Sequence, residues 1–237
     1  MLKARERLIV ALDVPTADAA RAFVDRLSGH VGLFKVGSQL FTAAGPDLVH
    51  EITTRGERVF LDLKYHDIPN TVAGAIASAA RLGVSLVDVH GLGGRAMMEA
   101  AVGALPAMGT RLLAITILTS HDDGTLRQIG LDGPVSDSVR RLALLAKDSE
   151  VDGVVASPHE VGLIREACGK DFLIVTPGIR PAGAAARDQA RAATPAAAVA
   201  AGADYIVVGR PIVEAADPAA AADAIVAELE QLTDARV

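Results

Sequence analysis

Cysteine, tryptophan and surplus positive charge are what this sequence has least of. Its one cysteine, Cys168, excludes an internal disulfide and fits a reducing compartment. Aromatic residues make up 3% of the chain and tryptophan is absent, which argues against a base-stacking platform for nucleic acid. The formal net charge of -6 gives neither nucleic acid nor an anionic membrane a general positive field to approach, so an anionic ligand must be met locally. Long apolar runs are missing too. The opening MLKARERLIVALD has one short run that passes into Asp13, and it reads as a first strand, not as a signal peptide or membrane anchor. A cytoplasmic protein with no nucleic-acid or membrane partner is the expectation.

What the sequence does have is apolar patterning. The 237 residues are 51% hydrophobic, enough for one large core, and no linker or low-complexity stretch divides them. A single domain over residues 1–237 is expected. Eight short runs recur: LIVAL (8–12), LFKVG (33–37), VFLDL (59–63), LVDVH (86–90), LLAITIL (112–118), GVVAS (153–157), FLIVT (172–176) and YIVVG (205–209). The stretches between them have helical periodicity. Ala20, Phe23 and Leu27 share a face after the N-cap candidate Thr16, and Val72, Ile76 and Ala79 form a stripe after Asn70. Pro218 suits the first turn of a last helix carrying Ala222, Ile225, Leu229 and Leu232. Strands joined by helical crossovers are parallel. Eight units close a barrel, and no G-x-G-x-x-G follows the first strand, so the α/β class resolves to a (β/α)8 TIM barrel over an open doubly wound sheet. Residues 119–134 and 178–193 exceed a minimal connection, and the second, GIRPAGAAARDQARAA, reads as a phosphate-binding lid.

In such a barrel the C-terminal strand ends form the active face, and there the polar residues gather: Asp13, Lys35, Asp62, Lys64, His90, Thr119, Ser120, Gly209 and Arg210. In DLKYHD (62–67), Asp62 and Lys64 project to the same side of a regular strand while Leu63 points away. Asp67 lies just beyond, able to reach the same site or a partner subunit. Alternating Asp and Lys keeps Lys64 protonated, since an ammonium about 4 Å from a carboxylate gains roughly 4 kcal/mol at an effective dielectric near 20. A positioned acid beside a fixed negative charge suits a reaction that loses an anionic group and then needs a proton. The other reading of these residues is an inert ion-pair cluster at the barrel mouth. TPGIRP (176–181) and VVGRPI (207–212) each put a glycine beside an arginine at a strand end, where barrels commonly bind phosphate. Tight turns flanked by solvated arginines are the alternative there.

DLKYHDIPNTV, with LDV (12–14), FKVG, LTS, TPGIR and VVGRPI, resembles the orotidine 5′-monophosphate decarboxylases of the bacterial type over nearly the whole chain. The resemblance implies decarboxylation of orotidylate to uridylate without cofactor or metal. It implies that Lys64 protonates the pyrimidine C6, that Asp62 stands near the departing carboxylate, and that Lys35 and Asp13 bind ribose hydroxyls and complete the charge array. It further implies that Asp67, Ile68 and Thr71 enter the neighbouring site of a homodimer. Thr119 or Ser120 would contact the base, and Arg180, Gln189, Gly209 and Arg210 would surround the phosphate.

Rival readings share the barrel. A 3-keto-gulonate 6-phosphate decarboxylase also carries D-x-K-x-x-D and would depend on a metal, a Schiff-base aldolase would use Lys64 as its amine, and a catalytically dead barrel would only sense a phosphorylated metabolite. His66, His90 and His121 could suggest a metal site, though a strand-end or loop histidine is more often a hydrogen-bonding neighbour. Cys168 is expected to be a packed thiol.

Overall fold

The computed structural model describes residues 2–107, 109–181 and 193–234. Its elements run β1 (Leu8–Ala11), α1 (Ala17–Leu27), β2 (Leu33–Gly37), α2 (Ser38–Thr54), β3 (Val59–Tyr65), α3 (Pro69–Arg81), β4 (Leu86–His90) and α4 (Gly94–Gly103). They continue with β5 (Arg111–Ile115), α5 (Asp123–Gln128), α6 (Val135–Asp148), β6 (Gly153–Val155), α7 (Val161–Cys168), β7 (Leu173–Thr176), α8 (Pro195–Ala201), β8 (Tyr205–Val208), α9 (Arg210–Val213) and α10 (Pro218–Asp234). The eight strands form a closed barrel in sequence order, and every pairing is parallel, including β1 with β8 through Ile9 and Val207. The (β/α)8 expectation holds.

The two-residue period of each strand sorts its side chains. Ile9, Ala11, Leu33, Phe60, Leu86, Leu113, Ile115, Val155, Val175, Tyr205 and Val207 fill the barrel interior. The intervening residues, such as Val10, Phe34, Leu61, Val87, Leu112, Ile174 and Ile206, pack outward against the helices. Both faces are apolar, which is why the strands read as near-continuous hydrophobic runs. Fully burying each such side chain contributes about 1.5–3 kcal/mol, and this closed core is what can tolerate charge at its upper rim.

Local signals account for the helices. Thr16 Oγ1 accepts the Ala19 amide at 3.2 Å and starts α1, whose buried face is Ala20, Val24 and Leu27, with Phe23 only partly covered. α3 begins at Pro69, two residues earlier than a start after Asn70. Proline at the first helical position gives up only an amide that would have no intrahelical partner, and Ile68 serves as its N-cap. The 119–134 connection holds a short helix of its own, α5, capped by Asp122 through the Thr125 amide at 2.7 Å. Of the expected lid, residues 182–192, including Gln189, lie outside the described residues. The segment's flanks are joined by an Ile179–Ala193 bridge, with the Arg180 amide donating to Ala193 O at 2.9 Å. Among the described residues no helix is long and apolar enough to cross a membrane.

One strand departs from regularity. β3 pairs with β4 through Phe60–Leu86 and Leu61–Val87, and next through Tyr65–Val89, so Asp62, Leu63 and Lys64 together face Asp88 alone. Lys64 has a φ of 51°, in the left-handed region that non-glycine residues rarely occupy. Simple alternation therefore does not explain why Asp62 and Lys64 meet. They meet across a bulge that re-aims the Lys64 side chain.

Candidate active site

The C-terminal mouth of the barrel holds a cavity of about 260 Å3. Asp13, Lys35, Asp62, Lys64, Thr119, Arg180, Gly209 and Arg210 line it, eight of the residues expected from the sequence. Charge and apolar surface share the lining. Asp13, Lys35, Asp62 and Lys64 belong to β1–β3 and their ends and Arg180 and Arg210 follow β7 and β8, while Ala11, Phe60, Ile115, Val155 and Val207 on the strands, with Ile117, Leu118 and Pro177 beyond strand ends, present apolar surface.

The charged residues form an alternating chain. Lys35 Nζ lies 3.2 Å from Asp13 Oδ1 and 3.3 Å from Asp62 Oδ2, and Lys64 Nζ donates to Asp62 Oδ1. The Lys35 and Asp62 side chains are each only 12% exposed, so the centre of this ion-pair network is withdrawn from solvent while Asp13 and Lys64 at its ends remain partly exposed. Burial by itself would push the Asp62 carboxyl up. The Lys35 charge, a hydrogen bond with Asp88 and the Lys64 charge outweigh it and hold Asp62 down at about 2. Lys35 is pulled down by burial, but Asp62 and Asp13 raise it on balance. Asp62 is therefore anionic and Lys35 cationic at neutral pH. Gly37 leaves room for the amine, since a Cβ there would sit 3.0 Å from Lys35 Nζ.

Beyond β7 and β8, Gly178, with φ 82°, and Gly209 bring backbone next to Arg180 and Arg210, Gly209 packs beside Asp13, and Arg210 opens the short α9. Guanidinium groups and a helix start at this point can receive a phosphate.

Asp67, Ile68 and Thr71 do not line this cavity. All three are exposed, Ile68 at 67%, and Asp67 Oδ1 accepts the Ile68 amide at 2.6 Å. Ser120 is exposed and also outside the lining, while Thr119 is within it. His90 Nδ1 accepts the Leu92 amide at 3.2 Å, and its ring stacks on His66 with centroids 5.5 Å apart. Burial, reinforced by His66, Lys64 and His121, lowers His90 to about 4, so it is neutral near pH 7. Among the described residues no three His, Cys, Asp or Glu side chains are grouped to hold a metal ion. Cys168 is buried on α7, and burial pushes its thiol up.

The family model for orotidine 5′-phosphate decarboxylase / HUMPS matches residues 6–225. The chain belongs to that family. It is 56% identical to the orotidine 5′-phosphate decarboxylase of Syntrophotalea carbinolica over 236 residues, which cover 97% of each chain. It is 60% identical to that of Halorhodospira halophila over 94% of this chain and 95% of the relative. The crystal structure of orotidine 5′-phosphate decarboxylase from Lactobacillus acidophilus superposes with a TM-score of 0.84 at 42% identity, covering 94% of this chain and 98% of that one.

Within this family member the sequence reading missed one residue that adjoins the charged cluster. Asp88, in the middle of β4, has no exposed surface, and its Oδ1 accepts the Lys64 amide at 2.8 Å. A signal was present: in LVDVH the residues that alternate inward are Leu86, Asp88 and His90, so the run places a carboxyl group inside the barrel one strand away from Asp62.

Proposed function

We propose that the chain decarboxylates orotidine 5′-phosphate to uridine 5′-phosphate without metal or cofactor, with Lys64 as the proton donor. The observation that carries this reading is the Lys35–Asp62–Lys64 chain facing an apolar wall in a cavity rimmed by Arg180 and Arg210.

The chemistry follows from charge. The bond between C6 and the carboxylate breaks, its electron pair stays on C6, and CO2 departs as a neutral molecule. An N–H of the Lys64 ammonium then supplies the proton that becomes the new C–H bond, and solvent reprotonates the amine. Asp62, ionised at neutral pH, repels a bound carboxylate more than departing CO2, so its effect favours the transition state over the ground state. The developing carbanion is met by a preorganised ammonium in a site poor in water. Arg180, Gln189, Gly209 and Arg210 would take the phosphate, whose binding energy can close the 178–193 segment over the base. Asp13 and Lys35 would hold the ribose, and Thr119, which lines the cavity, is a better base contact than Ser120.

A homodimer in which Asp67, Ile68 and Thr71 enter the neighbouring site is part of this proposal. Their exposure and their absence from their own chain's cavity lining support it.

The test is the loss of orotidylate absorbance with purified protein in the presence of a chelator. Turnover that survives chelation, together with no borohydride-trapped adduct at Lys64, is expected. No turnover of orotidylate, or turnover that requires added metal, would overturn the reading.

A further inference from the structure

Three observations converge on Asp88. It is fully buried, its Oδ1 is taken by the Lys64 amide at 2.8 Å, and its Oδ2 is buried without a donor to satisfy it. The group within hydrogen-bonding reach is the Asp62 carboxylate, itself an acceptor. Two unprotonated carboxylates cannot share a hydrogen bond; one proton between them makes it.

We propose that Asp88 is a neutral carboxylic acid whose Oδ2–H donates to Asp62 while Oδ1 accepts the Lys64 amide, making it a positioning residue for both members of the Asp62–Lys64 pair.

Charge counting supports this. Asp13, Lys35, Asp62 and Lys64 already balance two negative against two positive groups, each in contact with a partner of opposite sign. An ionised Asp88 would add an uncompensated charge at a position with no access to water. Burial first, then the Asp62 charge and the hydrogen bond with Asp62, drive the Asp88 carboxyl well above the usual carboxylate range. Geometry gives the proton a purpose. The β3 bulge holds Lys64 in the left-handed region, and the Asp88 carboxyl takes the amide that the interrupted ladder leaves over. Asp88 thus fixes the Lys64 backbone with one oxygen and the orientation of Asp62 with the other.

Asparagine is the discriminating substitution, because its Oδ1 can accept the Lys64 amide and its Nδ2 can donate to Asp62, reproducing the protonated acid without a titratable group. With the full chain and orotidylate as substrate, Asp88→Asn should keep kcat/KM within about threefold, whereas Asp88→Leu should lose about tenfold or more, chiefly in kcat, while uridylate affinity stays within about threefold. Asp88→Leu at wild-type kcat, or Asp88→Asn as impaired as Asp88→Leu, overturns the proposal.

The second arm is urea unfolding of wild type and Asp88→Asn between pH 4 and 8. A raised carboxyl binds its proton more tightly in the folded state. Wild-type stability from this group is therefore intact below the ordinary aspartate value and falls as pH rises toward the elevated one. The variant should be at least as stable as wild type at neutral pH, by a margin that widens with rising pH. A variant that is less stable at neutral pH, with the deficit closing toward acid, would mean an ionised Asp88 and overturn the assignment. The other ionisable groups around it are Asp62, Lys64 and Tyr65 on β3, His90 on β4 with His66 stacked on it, and Lys35 of β2 through Asp62; on β5 the neighbours are Leu113 and Ile115. All of them are present in both proteins. The activity arm rests on the decarboxylase reading and the unfolding arm does not, so a wild type inert toward orotidylate would sink that reading while leaving Asp88 to be decided by stability.

Discussion

Replacing Asp62 by Asn isolates the electrostatic contribution of the buried chain. Asp62 holds Lys35 at 3.3 Å and binds Lys64, and its side chain is only 12% exposed, so solvent screens these contacts weakly. Its carboxyl is held at about 2, against about 3.9 in an unfolded chain. The folded state therefore prefers the ionised form. Because the folded value is depressed, the stabilisation is fully present above the unfolded value and is lost as pH falls through the folded one. The difference corresponds to about 2.5 kcal/mol at pH 7, about half of that at pH 3, and little below pH 2. Asp62→Asn keeps the shape and removes the charge, and it leaves Lys35 paired with Asp13 alone, which adds a pH-independent penalty. Urea unfolding measures both contributions, since urea does not screen charge as guanidinium does. Wild type should exceed the variant at pH 7, and the gap should shrink by about 1 kcal/mol or more by pH 3. A gap that stays flat between pH 7 and pH 3 would refute the assignment of a depressed, ion-paired Asp62.

Lys64→Ala should abolish turnover, by about 1000-fold or more, while a uridylate-like ligand still binds, because binding uses groups remote from C6; near-normal turnover would remove the mechanism. Inactive Lys64→Ala and Asp67→Ala chains, mixed with verified subunit exchange, should recover up to about a quarter of wild-type sites, since half of the dimers are mixed and each has one intact site. No recovery counts against a shared site. Arg210→Ala should weaken uridylate binding by about 1.5–3 kcal/mol if its guanidinium holds phosphate, with uridine binding unchanged as the control. Gly153→Ala should destabilise the barrel by about 1–3 kcal/mol or more in denaturant unfolding, because a Cβ there would sit 2.3 Å from Leu173 O, between two paired strands.

All eight strands and their closure were legible because burial on both faces writes each strand as a short apolar run, and a helix-length gap follows each one. Boundaries were less so. The fifth run reads as 112–118, but β5 ends at Ile115, since the apolar residues Ile117 and Leu118 line the cavity after the strand has ended. Local apolarity does not separate a strand from a cavity wall. The helix inside 119–134 escaped because α5 is a single capped turn and a half, too short to have a period. Of the site, Asp13, Lys35, Asp62 and Lys64 were readable from charge at strand ends and from the family signature. Asp88 was not singled out, because one acidic residue between valines resembles an outward-facing strand residue until the inward phase of Leu86 and His90 is counted.

Bulge and charge in this barrel explain each other. A regular β3 would have continued its ladder with β4 past Leu61–Val87, but pairing resumes only at Tyr65–Val89, and three residues stand opposite Asp88. That irregularity interrupts the ladder and places a non-glycine residue at positive φ, which costs about 1–3 kcal/mol, and it persists only because neighbouring contacts over-determine it. The contacts are polar: the Lys64 amide goes to Asp88, and the Lys64 ammonium goes to Asp62. The bulge sets the amine against Asp62 within the cavity that Ile115, Val155 and Val207 also line. For the proton donor proposed above, the bulge thus fixes both the backbone and the amine of Lys64 against the two carboxyl groups, Asp88 and Asp62.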